Sequence, residues 1–318
     1  MGLDLLTQIG KIKLKNPVLV ASGTFGHARE FEKFIDLKQL GGIVTKTITL
    51  KPRLGNPPQR IVETPSGMLN AIGLQNPGVD KFITDKMPFL RETGVPVIVS
   101  VMAYAVPELV LLVEALEDVD GIDGYEVNLS CPNVSYSTSA AKSVVDRGLT
   151  DVRMFAHDEK LIEEAVGAVR KATQRTLIAK LGPDVSNIGK MAQAAEKTGA
   201  DAVALINTFV AMKIDINTRK LVLANKTGGL SGPCIRPIAV RLVWEAAKAV
   251  KIPIVGIGGI MNGDDAVEMM MAGASAIQVG TANFMNPRAS IDVLEGIEDF
   301  MKKKKIDSIG EIVRSVKA

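Results

Sequence analysis

The sequence predicts a (β/α)8 TIM barrel with a short N-terminal β-hairpin. Three observations carry that prediction. Short apolar runs recur eight times, most of them running into Gly, Ser, Thr, Asn or Pro. Helical patterns fill most of the intervals between them. The apolar fraction is 47% with only 4% aromatics and 29 Gly, so the core is built mainly from Val, Ile, Leu, Ala and Met, as layered α/β packing requires. A chain of 318 residues can hold one large domain or two ordinary ones. Eight repeated units favour a single barrel domain over 1–318.

The opening segment, 6–14, reads as a hairpin capping the barrel bottom. The first strand, 18–21, runs into Ser22-Gly23, and the second, 42–44, into Thr45-Lys46-Thr47. The third spans 96–101 and the fourth 124–128. The fifth, 177–181, reaches Gly182-Pro183, and the sixth, 202–206, reaches Asn207-Thr208. The seventh, 253–257, and the eighth, 276–279, end at Gly258-Gly259 and Gly280-Thr281. Helical patterns lie at 108–116, 160–172, 188–198, 237–250 and 264–271, with Asp158 as the N-cap of the second. A further helix, 289–301, ends in the basic run 302–305, where cations suit the helix dipole. Continuous apolar strands alternating with helices mean a parallel sheet buried on both faces. An open doubly wound sheet is the alternative, but no Gly-x-Gly-x-x-Gly follows the first strand.

Composition removes several function classes. The net charge of +3 supplies no basic face for nucleic acid. The only cysteines are Cys131 and Cys234 and the only histidines His27 and His157, which argues against a zinc site and a disulfide framework, and for a reducing compartment. The N-terminus has no signal-peptide pattern, and no run of about 20 apolar residues could span a membrane. The expected location is cytoplasmic. His27 and His157 read as a surface or capping pair, and Cys234 as a packing residue.

The chemistry concentrates at strand ends, where such barrels carry their active sites. After the fourth strand comes Asn128-Leu129-Ser130-Cys131-Pro132-Asn133. Carboxamides flanking a thiol can grip a small polar ring and present a C–H bond to a base. A buried structural Cys beside turn-forming residues reads equally well from this run alone. Lys46 and Lys180 near buried strand ends need an anion or a bound ligand. The glycines after the seventh and eighth strands expose backbone N–H groups at the usual phosphate position of a phosphate-binding barrel, though tight turns also need glycine. A phosphate grip, a lysine deep in the barrel and no dinucleotide fingerprint suggest FMN, with Lys180 near the N1/O2 edge of the flavin.

Several motifs in order resemble the class 1 dihydroorotate dehydrogenases, specifically the catalytic subunit of the NAD-linked type 1B enzymes. They are Ala21-Ser22-Gly23-Thr24-Phe25-Gly26, Thr45-Lys46-Thr47, Asn70-Ala71-Ile72-Gly73-Leu74-Gln75-Asn76-Pro77-Gly78, the Asn128 to Asn133 run, Ile206-Asn207-Thr208, the stretch 224–233, Gly258-Gly259 and Gly280-Thr281. The resemblance implies oxidation of dihydroorotate to orotate in pyrimidine biosynthesis, with Cys131 as general base and FMN as hydride acceptor. It implies substrate contacts from Lys46, Asn70, Ala71, Ile72, Gly73, Leu74, Asn128, Asn133, Asn207 and Thr208. It implies FMN contacts from Ser22, Lys46, Thr47, Ser100, Asn128, Lys180, Ile206, Gly232, Gly258, Gly259, Gly280 and Thr281, and no metal. A partner subunit would carry FAD and a [2Fe–2S] cluster and pass electrons to NAD, and this chain would dimerise within a heterotetramer.

Two features depart from the family pattern. The loop 135–152 is longer than in typical relatives and lacks their glycine pair, so it reads as an altered lid or as a tolerated insertion. Ser100 stands where relatives often place an Asn against FMN, which implies a weaker contact. Alternatives are another FMN barrel acting on a related pyrimidine ring, as in dihydropyrimidine dehydrogenase or dihydrouridine synthase, a fumarate-linked type 1A enzyme, or an inactive scaffold.

Overall fold

The computed structural model describes residues 2–130 and 155–317. Cys131, Asn133 and the 135–152 loop lie outside the described residues.

Eight parallel strands close into a barrel: β1 (Val18–Val20), β2 (Gly42–Val44), β3 (Val97–Val101), β4 (Gly124–Asn128), β5 (Thr176–Leu181), β6 (Ala202–Leu205), β7 (Ile254–Ile257) and β8 (Ala276–Val279). Each pairs with its neighbour in sequence, and β8 returns to β1. The expected eight runs and the (β/α)8 class are therefore what the chain adopts. Helices Val106–Glu117, Glu159–Ala172, Ile188–Lys197, Arg236–Ala249 and Gly263–Ala272 match the predicted patterns to within a few residues at each end. Asp158 caps the second of them, its Oδ1 accepting from the Lys160 and Leu161 N–H groups. The last helix, Ala289–Lys304, carries the basic run as its final turn and ends at Lys305 in the left-handed region.

The period-2 alternation of each strand sorts its side chains into two cores. Val20, Ile43, Val99, Val127, Ala179 and Val203 face outward and pack with the helices. Leu19, Ala21, Val44, Ile98, Ile178, Ala204 and Val255 fill the barrel interior. The N-terminal hairpin, Thr7–Ile9 with Ile12–Leu14, adds Ile9, Ile12 and Leu14 to that interior cluster, so it plugs the barrel as expected.

The structure adds a sheet that the sequence did not announce. Strands Ile61–Thr64, Gly67–Asn70, Gly228–Ser231 and Phe209–Ala211 form a four-stranded antiparallel sheet, with Gly229 opposite Asn70. Each is only three or four residues long and two contain glycines, too short for a period to stand out in the sequence. Ile61, Met68, Asn70 and Ser231 from this sheet line the cavity at the barrel mouth.

His27 corrects an expectation. It is 7% exposed rather than on the surface, with its ring 5.4 Å from that of Phe82. His157, in contrast, is exposed.

Candidate active site

A cavity of about 370 Å3 opens where β1, β2 and β4–β8 end. That volume falls in the range of small-molecule sites. Its walls bring together Ser22, Lys46, Thr47, Asn70, Ile72, Gly73, Leu74, Asn128, Lys180, Ile206, Asn207, Thr208, Gly232, Gly258, Gly259, Gly280 and Thr281. These are residues the sequence nominated from nine separate stretches, and the barrel closure is what makes them neighbours. Among the described residues, two nominated ones do not line it. Ala71 is fully buried, clustered with Leu69 and Leu223. Ser100 is also fully buried, its Oγ 2.9 Å from Thr47 Oγ1, which in turn lies 3.1 Å from Ser22 Oγ. Ser100 therefore supports Thr47 from behind instead of reaching the cavity itself, because its strand position points it into the barrel below the mouth.

The carboxamides are held in a fixed arrangement. Asn207 Nδ2 donates to Asn128 Oδ1, to Ser130 O and to Ser130 Oγ, each at 3.2 Å. Asn207 Oδ1 accepts from the Thr208 N–H at 2.9 Å. Both amide oxygens are engaged within the protein, so the pair is pre-oriented before any ligand arrives. The 70–78 segment is pinned by Asn76, which is 7% exposed. Its Nδ2 donates to Leu74 O at 2.7 Å and its Oδ1 accepts from the Gly78 N–H at 2.9 Å. That clamp stabilises positive φ at Gly73 and Leu74, which lets this stretch curl over the cavity.

The far wall is formed by glycine turns. Gly258 and Gly259 have φ of 126° and 76°, and a Cβ at Gly259 would lie 2.5 Å from that of Arg236. No carbonyl among the described residues accepts from the N–H groups of Gly259, Gly280 or Thr281. Thr281 Oγ1 donates to Ser231 Oγ at 2.8 Å, tying this wall to the mouth sheet. Lys46 and Lys180 are the charged residues among the described ones lining the cavity, so its field is positive.

Beneath Lys180 lies a group the sequence reading missed. Glu126 on β4 is fully buried; its Oε1 accepts from Lys180 Nζ at 3.3 Å and its Oε2 from Gln278 Nε2 at 2.8 Å. Lys180 thus has a protein anion as partner, which the strand-end argument had not supplied. The signal was present: Glu126 and Gln278 interrupt otherwise apolar strands at positions that alternate inward.

A family model for dihydroorotate dehydrogenases matches residues 4–301. The chain belongs to the dihydroorotate dehydrogenase family. Its relatives include the catalytic subunits of dihydroorotate dehydrogenase B (NAD(+)) from several bacteria. That of Geotalea daltonii is 48% identical over 314 residues, covering 99% of this chain and 98% of the relative. That of a Thermoanaerobacter species is 49% identical over 315 residues, 99% of each. That of Thermodesulfovibrio yellowstonii is 47% identical over 310 residues, 98% of each. For a member of this family the cavity at the strand ends is the candidate active site.

Proposed function

We propose that this chain is the catalytic subunit of an NAD-linked dihydroorotate dehydrogenase, oxidising dihydroorotate to orotate in pyrimidine biosynthesis. The observation that carries the reading is the convergence of Lys46, Asn128, Lys180 and Asn207 with the glycine turns after β7 and β8 in one cavity of a chain of this family.

The residues present fit FMN. The glycine turns leave backbone open to a phosphate, and Lys180 offers a cation at the polar floor. Ser22, Lys46, Thr47, Asn128, Lys180, Ile206, Gly232, Gly258, Gly259, Gly280 and Thr281 would hold it, with Ser100 acting through Thr47. FMN supplies the hydride acceptor.

The chain's own side chains do the rest. Lys46 binds the substrate carboxylate, and Asn70, Asn128, Asn133 and Asn207, with Thr208 and the 71–74 segment, bind the ring amides. Such fixed contacts would hold the substrate in one orientation. Cys131 would take the proton from C5 as general base. The thiolate is the active form, and an ordinary Cys has a pKa of about 8.5. Flavin reduction is therefore expected to quicken as pH rises through that ionisation, and a flat profile counts against the assignment. Cys131→Ala is expected to keep FMN and to slow its reduction by about 10²–10⁴-fold, the range of general base catalysis. Reduction of that variant at the wild-type rate would remove Cys131 from the mechanism.

Electrons leave to a partner subunit carrying FAD and a [2Fe–2S] cluster. Cys131 and Cys234 are too few for the four thiolates of such a cluster on this chain. The assembly is a heterotetramer built on a dimer of this chain, in the cytoplasm. No helix among the described residues is long and apolar enough to cross a membrane. Substrate choice is tested by rapid mixing with dihydroorotate and with dihydrouracil. Dihydroorotate is expected to reduce the flavin and dihydrouracil to leave it oxidised; faster reduction by dihydrouracil would overturn the reading.

A further inference from the structure

One carboxylate holds two sides of the turn after β7. Asp265, in the first turn of the helix Gly263–Ala272, is 5% exposed. Its Oδ2 accepts from the Met261 N–H at 2.9 Å, and its Oδ1 accepts from Arg236 Nη1. Met261 ends the stretch 257–261, which lines the cavity. Arg236 opens the helix Arg236–Ala249, and the turn rests directly on it. A Cβ at Gly259 would lie 2.5 Å from Arg236 Cβ and 2.9 Å from its Cα and N. The turn is therefore gripped at its end through Met261 and along its back through Arg236. A single side chain makes both grips.

Simpler roles do not account for this carboxylate. An acid in the first turn suits the helix dipole, but Asp264 supplies one there in an exposed position, without the desolvation that burial imposes. The helix has its cap as well, since Asn262 Oδ1 accepts from the Asp265 N–H at 3.0 Å. Nor does Arg236 serve the cavity with its charge. Its Nε lies 3.3 Å from Glu268 Oε2, and neither Arg236 nor Asp265 lines the cavity. With its guanidinium engaged by two carboxylates, Arg236 acts on the turn through the backbone that Gly259 packs against. What the network fixes is the shape of a cavity wall whose Gly259 N–H has no acceptor among the described residues. Such an N–H is the group that a phosphate oxygen takes.

We infer that Asp265 is a positioning residue for a phosphate monoester. Through Met261 and Arg236 it sets the turn after β7 to the shape that accepts the cofactor phosphate, and so makes the site choose a phosphorylated flavin over the same ring without phosphate. This rests on the FMN reading above and goes beyond it, because the choice is placed in a carboxylate outside the cavity wall. Asp265→Asn isolates the effect. Asn offers one acceptor atom where Asp offers two, so its amide nitrogen is set against either the Met261 N–H or the Arg236 guanidinium. Arg236→Ala removes the other end of the same grip from a partly exposed position.

The test uses the full chain freed of flavin and titrated with FMN and, separately, with riboflavin, each followed by flavin fluorescence. It needs no substrate turnover. The wild type is expected to bind FMN more tightly than riboflavin. D265N is expected to weaken FMN by at least about tenfold, the scale of a lost hydrogen bond to a charged group, while riboflavin affinity holds. R236A is expected to show the same selective loss. A melting curve accompanies each variant. A folded D265N or R236A chain with the wild-type preference for FMN overturns the inference. So does an equal loss of both flavins, which a merely structural role would produce, and so does tighter FMN binding in D265N, which would mean that a freed Arg236 serves the phosphate. Equal affinity of the wild type for the two flavins overturns it without any variant, and R236A decides the matter if D265N does not fold. A wild-type chain that binds neither flavin defeats the FMN reading itself. A wild type that prefers FMN, with variants that prefer it equally, loses only the role of Asp265.

Discussion

His27 illustrates what a single side chain contributes when its surroundings are counted. Burial depresses its imidazole to a pKa of about 4; Glu30 pushes back, and Lys86 and Lys46 add to the depression. The unfolded chain takes that proton near pH 6.5, the folded chain only near pH 4. Between those values the unfolded state binds more protons, so the His27 contribution is intact above about pH 6.5 and is lost as pH falls toward 4. Urea unfolding of wild type and His27→Phe at neutral and mildly acidic pH checks this. The wild type is expected to lose stability relative to the variant as pH falls, and a constant difference would contradict it. The sequence offered no warning, because a histidine between Gly26 and Ala28 carries no periodic signal of burial. Lys46, Asn128, Lys180 and Asn207 were legible for the opposite reason: each breaks an apolar run where a barrel mouth must lie. Glu126 also breaks its run, but in the middle of the strand and not at its end, two residues before Asn128, so a search confined to strand ends passed over it.

At the scale of elements, the turns rather than the strands carry the site. Gly259→Ala puts a methyl group 2.5 Å from Arg236 Cβ at a φ of 76°. It is expected to weaken FMN binding at least about tenfold, roughly 1.4 kcal/mol, read from quenching of flavin fluorescence on titration. Unchanged affinity would mean that this turn does not touch the cofactor. Asn76→Ala removes the acceptor of the Gly78 N–H and the donor to Leu74 O in a buried setting. Each buried group left unpaired costs about 1–3 kcal/mol, so the urea midpoint is expected to fall clearly, and a midpoint at the wild-type value would show that the clamp is dispensable. The barrel strands and their helices were legible because each is long enough to show its period. The mouth sheet was not, since Gly67–Asn70 finds its partner Gly228–Ser231 far along the chain and neither strand alternates.

At the scale of the molecule, barrel closure joins β8 to β1 and leaves no strand edge free in that sheet. The chain is expected to unfold as one cooperative unit. FMN at about a hundred times its Kd is expected to add roughly 2.7 kcal/mol, raising the melting temperature, and a ligand-independent melt would argue against a folded FMN site. The central claim is that this cavity brings FMN and dihydroorotate together. An anaerobic visible spectrum of the FMN-loaded chain, recorded before and after dihydroorotate is added, tests it most directly. Bleaching of the bound flavin band is the predicted result. A band that stays fully oxidised, in a chain that holds FMN stoichiometrically, would contradict it.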